Sequence, residues 1–200
     1  LTLTNQLLKV MRSNQASGYQ GINEALFSPR SRTNHDIRNA RSFYFGWRYF
    51  DKYYGDTLLP EVSHWRWQIE NFFKLWHFTS FRTGDGAISQ HTFAGSMNAV
   101  TDVGFMEPEW SREFFEGGNA RLMGDWNIAV CNNMGQAVML GDSSPGDYPS
   151  GLFAKLGYYY RDGRYQFMID KRGQTKTSID EPMRAFAVGL KPQLPADHIG

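Results

Sequence analysis

Apolar residues recur every three or four positions over much of this chain, the spacing of helices buried along one face. The clearest run covers 36–54, where Phe43, Trp47, Phe50 and Tyr54 share a side and Gly55-Asp56 ends the pattern. Pro60 opens the next helix near its first turn, and Val62, Trp65, Ile69, Phe72, Phe73 and Trp76 continue the spacing. Leu3, Leu7, Leu8, Val10 and Met11 predict a helix over 2–13, with shorter helices over 22–26 and 96–104. Leu122, Trp126, Ile128, Ala129 and Met134 mark the apolar side of a helix over 119–133. A further helix, entered through Pro149 and Ser150, covers 150–161, and 181–188 suits helix or strand. Polar turns at Gly18 and Gly21, at 82–86 and at 141–147 separate these runs, with Asp142 and Ser143 bracing the last. No strand pair or hairpin emerges. The predicted fold is all-α, an array of antiparallel helical hairpins. No recognisable internal repeat supports a regular solenoid.

Composition narrows the class without naming the chemistry. Two hundred residues with 41% hydrophobic content suffice for one sizeable core. A net charge of +1 lacks the basic footprint of a dedicated nucleic-acid binder. Six Trp, ten Tyr and fifteen Phe suit either an aromatic core or a groove for ring-shaped ligands such as sugars. A lone cysteine, Cys131, excludes an internal disulfide and ends an apolar stretch from Trp126, which predicts a buried, inert thiol. There is no signal-peptide pattern and no apolar run long enough to span a bilayer. The chain starts at Leu1 inside a helical pattern and ends at His198-Ile199-Gly200, so the expectation is an internal piece of a longer protein.

The candidate chemistry centres on Asn34-His35, which opens the long aromatic helix beside Arg30, Arg32, Arg38 and Arg41. An amide, an imidazole and four guanidiniums suit an anionic ligand carrying carboxylate or sulfate groups. A solvated helix start capped by Thr33 or Asn34 is the plainer alternative. The five histidines form no metal-binding pattern, and there is no phosphate-binding or dinucleotide-binding glycine motif and no G-x-S-x-G, so no cofactor is expected.

Four features in order resemble the heparinase II/III-like polysaccharide lyases. They are Arg32-Thr33-Asn34-His35 entering an aromatic helix, the Asp85-Gly86 turn after Phe78–Gly84, Phe114–Ala120 leading into a helix, and Met139-Leu140-Gly141-Asp142-Ser143. The resemblance covers most of residues 30 to 200. It implies that residues 1–200 are the C-terminal part of an incomplete (α/α) toroid, ending before a C-terminal antiparallel β-sandwich of the same protein. It also implies a periplasmic or secreted enzyme acting on an acidic polysaccharide, with no nucleic-acid or membrane partner.

The implied reaction is β-elimination on a uronic-acid polysaccharide. The C5 proton becomes removable only when the neighbouring carboxylate is neutralised, and Asn34 and His35 match the neutralising position. A base then takes the proton and an acid protonates the leaving glycosidic oxygen. The family commonly places a tyrosine a few residues beyond the Asp-Gly turn, yet residues 85–98 contain none. His91 is the candidate replacement, with Tyr158 to Tyr160 as others. A further histidine is expected from the sheet domain, so the isolated piece is expected to be inactive. Arg32, Arg38, Arg41 and Asp85 are the expected substrate-binding residues. Trp65, Trp67 and Trp76 read first as core, with Trp65 the choice for stacking on a sugar ring. Two alternatives stand beside the lyase. A toroid glycoside hydrolase would pair Asp85 with Asp125 or Glu70. A non-catalytic carbohydrate-binding protein would need no base at all.

Overall fold

A computed structural model describes residues 2–16, 34–79, 100–132, 150–171 and 191–195. Apart from a bridge residue at Cys131, the regular structure of the described residues is helical: α1 (Leu3–Ala16), α2 (Asn34–Tyr53), α3 (Gly55–Leu58), α4 (Glu61–Thr79), α5 (100–106), α6 (Pro108–Glu116), α7 (Asn119–Ala129), α8 (Ser150–Tyr160) and α9 (Gly163–Lys171). The all-α expectation therefore holds for these residues. The predicted elements at 22–26 and 181–188 and the loop at 141–147 lie outside them.

Helix α1 runs antiparallel to α2, with the Thr4 hydroxyl 3.3 Å from that of Tyr49 and Met11 packed on Gly46. Arg12 closes the far end of α1 onto the first turn of α4 by a 2.6 Å ion pair with Glu61. This pair holds the Glu61 carboxyl below its ordinary range. Helix α4 returns along α2, and Trp65 sits edge-on to Phe43 at 6.0 Å and to Phe50 at 5.7 Å. Beyond it α6 packs on α4, α7 on α6, α8 on α7 and α9 on both α7 and α8. Most contacts thus join helices that are near neighbours in sequence. One apolar core runs through all of them.

Local chemistry explains the turns. Gly55 does not stop the chain as a plain breaker. With φ +59 it takes the left-handed conformation after α2 and starts the short helix α3. Asp56 then accepts the backbone N–H of Ser63 at 2.8 Å, satisfying an orphan donor in the first turn of α4.

Three expectations change. Helices α6 and α9 are absent from the sequence reading, although Trp110, Phe114 and Phe115 on one and Tyr165, Met168 and Ile169 on the other are buried at helical spacing. Each is only nine residues long, too short for periodicity to stand out. The buried face of α7 is Ala120, Met123, Gly124, Asn127 and Ile128, which keeps Ile128 from the predicted side but leaves Leu122 and Ala129 exposed and Trp126 partly so. Leu122 is 52% exposed, whereas Met123 and Ile128 supply the large apolar side chains of the buried face. Cys131 is buried as expected.

Candidate functional site

Asn34 and His35 form the first turn of α2, where backbone N–H groups lack intrahelical partners and the helix dipole is positive. The side chains of Asn34, His35 and Arg38 lie outside the described set, as do Arg32, Asp85 and His91 entirely. Of the predicted site residues the structure therefore describes Arg41 and Trp65 fully.

Trp65 is a correction. It is fully buried between Phe43 and Phe50 and offers no face to a sugar ring. Its neighbour on the outer side of α4, Trp67, is 49% exposed and stacks on His64 with ring centres 5.9 Å apart.

Arg41 lies two turns into α2 and anchors a charged cluster that joins three helices. Its guanidinium meets Asp102 Oδ2 of α5 at 2.8 Å, and the other oxygen, Oδ1, meets Lys155 Nζ of α8 at 2.5 Å. Lys155 also donates to the Thr101 hydroxyl at 3.2 Å. The lysine is the most unusual member, because only 2% of its side chain is exposed. Burying an ammonium is costly unless it is paired and hydrogen-bonded, and Asp102 and Thr101 supply both. Arg41 keeps 43% of its side chain open. Its Nε is buried and has no hydrogen-bond partner among the described residues.

Sequence reasoning missed Asp102 and Lys155. The signal was present in Gly151-Leu152-Phe153-Ala154-Lys155-Leu156-Gly157, where a single cation interrupts an apolar helical run. A charge at a position whose neighbours face the core calls for a buried counter-ion.

The remaining candidates are engaged elsewhere. Asp125 pairs with Arg164 at 3.0 Å and accepts from the Tyr165 hydroxyl at 3.3 Å, while Glu70 pairs with Lys74 at 2.6 Å on the exposed face of α4. Burial opposes ionisation of Asp162, but hydrogen bonds from Arg164 and the nearby Arg121 outweigh it and hold the carboxyl below its ordinary range. The Tyr160 hydroxyl donates to the Phe115 carbonyl at 2.7 Å, and burial pushes its pKa up to about 12. Burial raises Tyr165 as well. Tyr160 thus has its hydroxyl committed to a main-chain carbonyl. Tyr159 keeps 40% of its surface exposed and stacks on Phe115 at 4.4 Å.

Among the described residues no group of histidine, cysteine and carboxylate side chains is placed to hold a metal ion. None of their helices is long and apolar enough to cross a membrane. Comparisons of the chain with protein-family models, with curated proteins and with solved structures give no match.

Proposed function

We propose that this chain is the C-terminal part of an (α/α) toroid in a polysaccharide lyase that cleaves a uronic-acid polysaccharide by β-elimination. The observation that carries the reading is the position of Asn34-His35 in the first turn of α2. A helix start concentrates unpaired N–H donors and positive dipole where the uronate carboxylate must be neutralised. Amide and imidazole donors there stabilise the enolate-like charge that develops as the C5 proton leaves. The antiparallel packing of α1, α2 and α4 suits a toroid built of helical hairpins. Arg41 and the exposed ring of Trp67 supply the ionic and stacking contacts that an acidic sugar chain uses. In this reading His91 or Tyr159 acts as base, and a β-sandwich of the same periplasmic or secreted protein completes the site.

The absence of tyrosine from 85–98 favours a second reading, a carbohydrate-binding toroid without catalysis. One assay separates the two. A lyase product carries a C4–C5 double bond conjugated to the carboxylate and absorbs in the ultraviolet, whereas a binder changes nothing. The test follows that absorbance on a panel of uronate polysaccharides, using the longest natural protein that carries this chain. Asn34→Ala and His35→Ala are each expected to slow the reaction about a hundredfold or more, as loss of an oxyanion donor does. A folded protein that produces no absorbance on any member of the panel would move the assignment to the binding reading.

A further inference from the structure

The Arg41–Asp102–Lys155 cluster has a division of labour that neither the motif nor the fold requires. A carboxylate facing a guanidinium ordinarily uses both oxygens in a two-pronged pair. Asp102 does not. Its Oδ1 is taken by Lys155 at 2.5 Å, which leaves Oδ2 for Arg41 at 2.8 Å. A guanidinium has five N–H donors, and among the described residues this contact leaves most of them unused. Arg41 keeps 43% of its side chain open, and among the described residues its other contact is the Phe45 ring, 5.8 Å from the guanidinium carbon.

We propose that Lys155 is a positioning residue for Arg41: by occupying Oδ1 of Asp102 it restricts that carboxylate to one contact with the guanidinium and leaves Arg41 able to take a second carboxylate, that of a uronate. The choice of a uronate rests on the functional reading above. The division of Asp102 between two cations rests on geometry alone. Without Lys155, Asp102 turns both oxygens to Arg41 and satisfies it internally.

The test is a binding titration with an oligogalacturonate and with its methyl ester, the same sugar chain without the charge. The wild-type protein is expected to prefer the free acid. Lys155→Met should weaken binding of the acid about tenfold, the equivalent of one charge-assisted hydrogen bond, and leave the ester unchanged. Arg41→Gln should give the same loss, and the double variant should lose no more than either single one, because both act on one contact. A merely structural role for Lys155 predicts something else: equal weakening for acid and ester, or losses that add. Either result overturns the proposal. Should Lys155→Met not fold, Lys155→Gln carries the same comparison. Arg41→Gln, which alters a half-exposed residue, tests the acid preference independently, and its retention there would also overturn the proposal. The elimination assay depends on Asn34 and His35, so a failure here leaves the lyase reading to be decided separately.

Discussion

At the scale of single residues, the chain shows how far side-chain type alone carries an argument. The Asn34-His35 pair was legible because both residues sit together in sequence. The partner of Arg41 was not, because Asp102 belongs to a distant helix and only the fold brings it within 2.8 Å. Trp65 fails as a sugar platform because the apolar face on which periodicity places it is fully buried between Phe43 and Phe50. Glycines give a sharper lesson. Gly124 of α7 lies where α8 and α9 approach, and a Cβ there would come within 2.5 Å of the Leu156 side chain and of the Tyr165 hydroxyl. Both neighbours are buried and cannot move aside, so Gly124→Ala should destabilise the protein by about 1–3 kcal/mol in urea unfolding. For Gly46→Ala the nearest atoms belong to Met11, which is also buried but is unbranched, with several rotatable bonds through which it can shift. The gain of about 1 kcal/mol in helix propensity should there offset the crowding and leave stability nearly unchanged. Equal losses at the two positions would show that α7 does not cross its neighbours as described.

At the scale of elements, long helices declared themselves and short ones did not. Helices α2 and α4 carry enough turns for their aromatic stripe to be read directly. Helix α9 has nine residues, and its start depends on a cap that hydrophobic spacing does not reveal. Asp162 supplies that cap by accepting the backbone N–H of Arg164 at 3.0 Å, while the Arg164 guanidinium folds back on the same carboxylate at 2.7 Å. Asp162→Ala is therefore expected to cost about 1–2 kcal/mol near neutral pH. The pH dependence has a definite sign. The folded Asp162 carboxyl titrates below its unfolded value of about 3.9, so its contribution is present above that value and is lost as pH falls through the folded one. Unfolding curves of wild type and variant should consequently converge in strong acid, separate as pH rises toward about 4, and keep a constant gap above it. A gap that persists unchanged at the lowest pH would mean that the cap works without its charge.

At the scale of the whole molecule, the all-α class was visible in the sequence, whereas the order of packing was not. Spacing says which face of a helix is buried but not which neighbour covers it. In the described residues that neighbour is usually the helix before or after, an arrangement suited to stepwise assembly. The charged cluster is one exception, since it ties α2, α5 and α8 together, and Trp110 of α6 against Tyr44 and Trp47 of α2 is another. A chain truncated to residues 1–149 should keep much of its far-ultraviolet helical signal yet lose its cooperative melting transition. Sharp melting of that truncated chain would show instead that α1 to α7 form a unit of their own. The same connectivity has a consequence for the growing polypeptide. Most of the described helices pack against one that precedes them in sequence, so each has a partner already made when it emerges. Arg41 must nevertheless wait for Asp102, and Asp102 must wait for Lys155. Until that lysine is made, Asp102 has Arg41 alone as its partner in this cluster, and the three-helix junction cannot close before residue 155 is synthesised.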